Sequence, residues 1–370
     1  MRTALIHDWL TGMRGGERVL EALCGLYPDA DIFTLVHRGG SVSPLIERHR
    51  ISTSFIQQLP MGARRYRQYL PLFPLAIERF DLTPYDLVVS SSHCAAKAVI
   101  APAHARHICY CHSPMRYAWD QFDAYFGPAR KGMIASRLLY QPVMTRLARW
   151  DAATAARVHR FVANSAHVAE RIRRYYNRVA TIVYPPVDTA FFHPSDVTPG
   201  HHFLVVSALV PYKRIEVALE ACRRVGAPLR IVGDGPDRAR LQRLAGADVE
   251  FLGHVGDEAV RDEYRRARAV IMPGEEDFGI VPVEAQACGR PVVALARGGA
   301  LETVIDNETG VLFTDADAAS LAAALERAAG VRFDGSRLRA HAQQFARERH
   351  VDNMRELIAE SLEAPAGTRW

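Results

Sequence analysis

Pro273-Gly274-Glu275-Glu276-Asp277-Phe278-Gly279-Ile280-Val281-Pro282-Val283-Glu284-Ala285-Gln286-Ala287-Cys288-Gly289-Arg290-Pro291-Val292-Val293 is the stretch whose reading decides the fold. The apolar run Ala269-Val270-Ile271-Met272 leads into it and reads as a buried strand, and residues 291–295 read as the next one. Between them lie a glycine-bordered acidic loop and a short helical stretch. Strand, loop, helix and strand at this spacing make one unit of a parallel sheet covered by helices. Two carboxylates, Glu276 in the loop and Glu284 just inside the helix, stand eight positions apart and mark a candidate site.

The same alternation runs outward in both directions. In the second half, 203–207, 229–233, 249–253 and 310–313 read as strands, while 214–224, 257–268, 316–329 and most of 336–362 read as helices. In the first half, 3–7, 31–36, 87–91, 107–111, 161–164 and 181–183 read as strands. Residues 12–16 form a glycine loop, and 17–26 a helix with Val19, Leu20 and Leu23 on one face. Residues 184–200 hold Pro185, Pro186, Pro194 and Pro199 and break the series as a linker does. The expected organisation is a Rossmann-like domain at 1–183, a linker at 184–200 and a second Rossmann-like domain at 201–344. A helix and flexible tail at 345–370 are expected to pack back on the first domain. A chain of 370 residues, 49% hydrophobic, is long enough for two cores.

Composition narrows the function classes. Residues 1–183 carry 24 Lys/Arg against 13 Asp/Glu, a formal +11; residues 184–370 carry 22 against 28, a formal −6, which together give the +5 of the chain. A basic half points to an anionic partner: a phosphorylated ligand, nucleic acid or a membrane surface. The six cysteines show no metal-like grouping; Cys109 and Cys111 fit alternate positions of one buried strand, and a reducing compartment fits the set. Residues 1–7 read as a strand rather than an export signal, and no apolar run reaches the roughly 18 residues of a spanning helix. The expected location is the cytoplasm.

Several residues are placed to carry chemistry. Lys213 and Arg214 occupy the loop after the first strand of the second domain, where a diphosphate meets a positive pair and a helix N-terminus. Glu284 suits a vicinal diol, and Glu276 suits hexose hydroxyls. Gly279 permits close backbone approach, and the N–H groups of Phe278, Gly279 and Ile280 at the helix start suit phosphate or sugar oxygens. Gly15 and Gly16 suit a phosphate or sugar near the first strand, although neither G-x-G-x-x-G nor G-x-x-x-x-G-K-[ST] is present. His112 follows a strand end, where an active-site histidine and a structural one are both reasonable. Arg116, Tyr117 and Asp120 follow it as candidate acceptor contacts, and Asp8 is a cleft candidate or a turn cap. The basic and aromatic run 64–74 suits an anionic membrane, a lipid-linked diphosphate or a solvated helix with one packed face. No zinc-finger or RNA-binding motif supports nucleic acid as a partner.

With those residues in place, the chain resembles the retaining glycosyltransferases of family 4, which have the two-domain GT-B fold. The carriers are Glu276-x7-Glu284, Val210-Pro211-Tyr212-Lys213-Arg214, Val232-Gly233-Asp234-Gly235-Pro236, Phe251-Leu252-Gly253 and Arg297-Gly298-Gly299-Ala300-Leu301-Glu302. The resemblance implies an α/β fold of two Rossmann-like domains whose parallel sheets face across a cleft. It assigns the diphosphate to Lys213 and Arg214, the ribose to Glu284, the donor sugar to Glu276 and the base to the backbone around Gly253, His254 and Val255. It also places Gly15 and Gly16 by the donor phosphate, 298–301 by the diphosphate or sugar, and His112 at an outer hydroxyl of the transferred sugar.

A narrower likeness lies in His7-Asp8-Trp9-Leu10-Thr11, Gly15-Gly16-Glu17 and Cys111-His112-Ser113-Pro114-Met115-Arg116-Tyr117. These look like bacterial mannosyltransferases of O-antigen and exopolysaccharide assembly that use GDP-mannose. The resemblance implies an α-mannose moved with retention to a glycan carried on a polyprenyl diphosphate, at the cytoplasmic face of the inner membrane. GDP-fucose and UDP-glucose remain alternative donors, and the oligomeric state stays open. The chain is read as lacking a metal-binding Asp-x-Asp motif, with no cofactor and no divalent metal required. A sugar-nucleotide epimerase of the same architecture and a nucleotide-sugar-binding module without turnover are the competing readings.

Overall fold

The computed structural model describes residues 1–365 and 367–370, which form two units: Met1–Pro186 with His350–Trp370, and Val187–Arg349. In the first unit, strands β1 (Thr3–His7), β2 (Asp31–Thr34), β3 (Ile51–Thr53), β4 (Leu87–Ser92), β5 (Arg106–Cys111), β6 (Arg160–Ala163) and β7 (Ala180–Ile182) make one sheet in the order β3-β2-β1-β4-β5-β6-β7. In the second, β8 (Phe203–Val206), β9 (Leu229–Val232), β10 (Val249–Gly253), β11 (Ala269–Met272), β12 (Val292–Leu295) and β13 (Gly310–Phe313) make another, in the order β10-β9-β8-β11-β12-β13. All their pairings are parallel. Each unit is therefore a Rossmann-like α/β layer structure. Strand order reverses between β1 and β4 and between β8 and β11, the two places where such sheets open a crevice.

Both faces of the first sheet are covered, and its central strands β1, β4 and β5 are buried along their whole length. Ala4 and Ile6 of β1 pack into a cluster with Tyr66, Phe73 and Met144; Leu5 enters another with Val19, Leu20, Tyr110, Met354 and Ile358. The last two belong to the helix Arg347–Glu363, so the C-terminal helix closes a core begun by the first strand. Cys109 and Cys111 share a third cluster with Phe161 and Ile172, and all six cysteines are free and buried. The edge strand β3 escapes the sequence reading because Ile51-Ser52-Thr53 is short, half polar and only partly buried.

Three expectations need correction. The stretch 184–200 is mostly part of the second unit, not a linker. Val187 and Phe192 are buried; Val187 N–H donates to Phe345 O at 3.1 Å and its carbonyl accepts from Arg347 N–H at 3.0 Å. The tail is not loose at its described residues: Arg106 donates to the carbonyls of Ala364 and Pro365, and Arg178 to that of Trp370 at 2.9 Å. Ala366, which falls in that tail, lies outside the described residues. In the basic and aromatic run, Tyr66, Leu70 and Phe73 are core residues, Tyr66 lies 4.9 Å from the Trp9 ring, and the arginines face solvent together with Gln68, Pro71 and Leu72. That run is a packed face with solvated cations rather than a lipid clasp.

Asp8 is also placed differently from the acceptor role expected of it. Its carboxylate is fully buried just beyond β1 and accepts four backbone N–H groups from the segment after β4: His93 at 2.7 Å, Cys94 at 3.0 Å, Ala95 at 2.5 Å and Ala96 at 2.8 Å. The His93 ring adds a contact at 3.2 Å. Four donors on one anion leave no lone pair for a ligand, so Asp8 ties β1 to the β4 loop. Asp8→Ala orphans all four donors and is expected to cost about 3 kcal/mol or more, with Asp8→Asn recovering part of it. Urea denaturation followed by tryptophan fluorescence reads this; an unshifted midpoint in the alanine variant would remove Asp8 as the anchor.

Candidate functional site

In the first unit the candidate residues gather at the carboxyl ends of β1, β4 and β5. The parallel register pairs His7 with Ser91 across β1 and β4, and Ser92 with Cys111, the residue before His112, across β4 and β5. Ser91 Oγ lies 3.2 Å from His7 Nδ1 and 2.8 Å from His112 Nε2. Gly15 and Gly16 are not in a loop as expected but are the first two residues of the helix Gly15–Leu26, because Glu17 accepts the Arg14 N–H at 3.1 Å and starts the helix early. A side chain at Gly16 would stand 3.3 Å from the His7 ring and 3.7 Å from His112 Nε2, so glycine lets the helix start lie against both histidines.

Electrostatics follow from this packing. Burial raises the Glu17 carboxyl, but His7, His93 and its own backbone N–H outweigh it and hold the group below its ordinary value. Burial, and then the neighbouring His93, His7 and His350, push His112 well below the ordinary imidazole value, so its ring is neutral at pH 7. The other acceptor candidates sit on the next segment. Tyr117 packs edge-on to Tyr125 at 4.9 Å, and Arg116 opens the helix Arg116–Trp119. Asp120 already holds Arg171 and the Tyr175 hydroxyl, so it braces this segment against the helix Ala166–Tyr176.

In the second unit the candidates gather at the carboxyl ends of β8, β10, β11 and β12. Lys213 Nζ pairs with Glu276 Oε1. Arg214 caps the helix Ile215–Val225 in a left-handed conformation, φ 53°, an uncommon state for a non-glycine residue and one that concentrates at working sites. The Glu276 loop is laced to the loop after β12: Gly299 N–H donates to Glu276 O at 2.9 Å. Gly298 has φ +60°, and a Cβ there would stand 2.2 Å from that same oxygen, so only glycine allows the two loops to close.

Gly279, φ +85°, caps the helix Ile280–Ala287, and Glu284 sits one turn inside it, buried, with the Tyr264 hydroxyl donating to Oε2 at 2.8 Å. Gly253 ends β10, with His254 exposed and Val255 half-buried beyond it. The side chain of Phe278 is core, edge-on to Phe345 at 5.5 Å, so its ring does not face a ligand.

Sequence reasoning missed His7, Ser91, Glu17 and Tyr264 as site residues. The run Ser90-Ser91-Ser92 at an apolar strand end was the legible signal for one of them. It also passed over two Asp-x-Asp strings. In Asp29-Ala30-Asp31, Asp31 accepts from the Tyr85 hydroxyl; in Asp315-Ala316-Asp317, Asp317 caps a helix by accepting Ser320 N–H at 2.8 Å. Both have structural roles, and no cluster of three metal-ligating residues occurs among the described residues.

Known proteins share this arrangement. Residues 13–191 match the model for Glycosyltransferase Family 4, and residues 191–349 that for Glycosyl transferases group 1. D-inositol 3-phosphate glycosyltransferase of Geodermatophilus obscurus is 34% identical across 58% of this chain and 57% of that protein. The enzyme of the same name from Saccharomonospora viridis is 34% identical across 58% of each. The chain thus spans about half the length of the curated relatives it matches. Among solved structures, Anabaena Alr3699/HepE in complex with UDP-glucose superposes with a TM-score of 0.73 at 20% identity, over 97% of this chain and 100% of that one. Sucrose-phosphate synthase from Thermosynechococcus elongatus gives 0.71 at 20% identity, over 97% and 99%. The likeness to both structures is one of fold. With the two family models meeting at residue 191 and the fold shared almost end to end, the chain carries a glycosyltransferase family 4 domain followed by a glycosyl transferases group 1 domain on a GT-B fold.

Proposed function

We propose that the chain is a retaining glycosyltransferase that moves a hexose from a nucleotide diphosphate sugar to a glycan acceptor. The observation that carries this is the Lys213–Glu276 pair, set among glycine-dependent loops at the carboxyl ends of parallel strands, with buried Glu284 on the adjoining helix. Lys213 and Arg214 stabilise the departing diphosphate as its charge grows. Glu284 accepts the ribose hydroxyls, Glu276 orients the hexose, and backbone N–H groups at Phe278, Gly279 and Ile280 take its oxygens. The acceptor hydroxyl attacks the anomeric carbon from the side the diphosphate leaves. A phosphate oxygen of the donor takes the proton, so no enzyme nucleophile is needed. In this scheme the cations carry the electrostatic work that a divalent metal does elsewhere.

The narrower proposal is GDP-mannose as donor and a glycan on a polyprenyl diphosphate as acceptor, supported by the motif likeness around His7–Thr11 and Cys111–Tyr117. The relatives favour a second reading in its finer parts: their names point to an inositol 3-phosphate acceptor, and the HepE complex to a uridine nucleotide. A screen of GDP- and UDP-sugars against both acceptor classes, read by product mass, decides between them. An epimerised free sugar nucleotide, or binding without product, overturns transfer.

Peripheral membrane contact also belongs to the proposal, on a surface other than the run 64–74. Met133, Ile134, Leu138 and Leu139 are 61%, 77%, 76% and 59% exposed, a run of large apolar side chains unusual on a free protein surface. Arg137, Arg146 and Arg149 line an adjoining groove; between residues 124 and 150 there are five cations and no acid. An apolar ridge flanked by cations fits an anionic bilayer interface. No helix of the described residues is long and apolar enough to cross a membrane.

Lys213→Ala is expected to lower donor turnover about 100-fold or more; unchanged kinetic constants would remove it from the diphosphate. Glu284→Gln retains an acceptor for Tyr264 but loses the charge toward a diol. It should weaken nucleotide affinity about 10-fold or more by calorimetry, and equal affinity would argue against a ribose contact. The protein should sediment with vesicles containing phosphatidylglycerol but not with phosphatidylcholine alone. The variant Ile134→Glu/Leu138→Glu should stay in the supernatant; sedimentation unaffected by it would remove this surface.

A further inference from the structure

Four side chains in the first unit form one continuous polar chain: Glu17, His7, Ser91 and His112. With one proton on each imidazole, its geometry allows one consistent arrangement of protons. His7 is fully buried, and its Nε2 has no hydrogen-bond partner; the Glu17 Oε1 carboxylate oxygen stands 3.8 Å from it. A bare nitrogen lone pair facing a carboxylate is repelled, whereas an N–H is attracted, so His7 carries its proton on Nε2. Its Nδ1 is then an acceptor, 3.2 Å from Ser91 Oγ. Ser91 has one proton, which it donates to His7, so its oxygen accepts from His112 Nε2–H at 2.8 Å. The opposite assignment would point a bare His7 nitrogen at Glu17.

We infer that Glu17, His7 and Ser91 are positioning residues that fix His112 in the Nε2–H tautomer, leaving Nδ1 as a hydrogen-bond acceptor for a hydroxyl of the sugar substrate. The inference deepens the proposed transfer reaction and rests on that reading, with His112 at a hydroxyl of the transferred sugar. His112 is half-buried as a residue, and the depressed basicity of its ring keeps it neutral. Asn164 Nδ2 donates to the His112 carbonyl at 3.0 Å and holds its backbone, while the serine holds the ring. His112 so held accepts from a hydroxyl and discriminates against a group that cannot donate. The register makes the device possible: His7 and Ser91 are direct neighbours on β1 and β4, on the same face of the sheet.

The test separates this arrangement from the reaction it serves. In protein labelled with 15N at histidine, the His112 signals, assigned by their loss in His112→Gln, should show a protonated Nε2 and a bare Nδ1 at pH 7.5 (about one unit above the ordinary imidazole value). Ser91→Ala should convert them to a mixture of tautomers, and Ser91→Thr, which keeps the hydroxyl, should restore the single form. A His112 protonated on Nδ1 in the unaltered protein, or one indifferent to Ser91→Ala, overturns the inference without any substrate present. With the donor that supports turnover, Ser91→Ala should lower kcat/KM about 10-fold, with recovery in Ser91→Thr. Equal losses in both variants would mark Ser91 as a packing residue. A protein without transfer activity would overturn the proposed reaction and leave the tautomer result standing.

Discussion

Parallel strand pairing is the constraint on which the rest depends. Because every strand of a sheet points the same way, the loops that follow the strands all emerge at one edge. His7, Ser91 and His112 come from three strands far apart in the chain and meet only because β1, β4 and β5 are in parallel register. The same rule brings the Lys213 loop after β8 to the Glu276 loop after β11 and the Gly298 loop after β12. A parallel sheet also needs both faces covered, and its crossover helices supply that cover. Core and site are thus two consequences of one arrangement. Inward apolar residues such as Leu5 and Ile6 set the strands, and the polar residues that end them, such as His7, are placed by that setting.

Much of this was legible in the sequence. Twelve short apolar runs announced strands, and all of them occur within a few residues of where they were read; the thirteenth, β3, is too polar and short to stand out. Lys213 and Glu276 were separately readable as a cation and an acid in loops after strands. Their pairing was not, because it depends on β8 and β11 being neighbours, which is a property of strand order rather than of either segment. Asp8 shows the opposite failure. An acid at a strand end reads as a ligand contact, and nothing local reveals that four N–H groups some 85 residues later will converge on it. The burial of the Phe278 side chain was hidden for a similar reason: its turn was visible, but the Phe345 ring that covers it arrives from the far end of the unit.

The two carboxylates of the opening motif gain their meaning from what they face. Glu276 lies in a loop and is paired with the Lys213 ammonium group. Glu284 is buried in a helix, and the Tyr264 hydroxyl donates to it. Hydrolysis by a pair of acids needs one of them to supply a proton to the leaving oxygen. Glu276 already serves a lysine and is poorly suited to that task. Preorganised acceptors for hydroxyl groups, beside a cation for a leaving diphosphate, are what group transfer from a nucleotide sugar demands.

The candidate sites of the two units are built from different materials. The second unit works through backbone and formal charge: glycines such as Gly298 let loops approach, and Lys213 with Arg214 supplies positive potential. The first unit works through neutral polar groups, since burial and neighbouring rings keep His112 uncharged and its orientation depends on Ser91 rather than on an ion pair. Charge is concentrated where a diphosphate would bring its own, and neutral hydrogen bonding where a sugar would bring hydroxyl groups. A neutral ring held in one tautomer discriminates between a hydroxyl and its absence more sharply than a mobile cation does, because an unmet acceptor in a desolvated place is costly. In the proposed reaction, selectivity for the transferred sugar belongs with the strand-end histidines, and affinity for the nucleotide with the glycine loops of the second sheet.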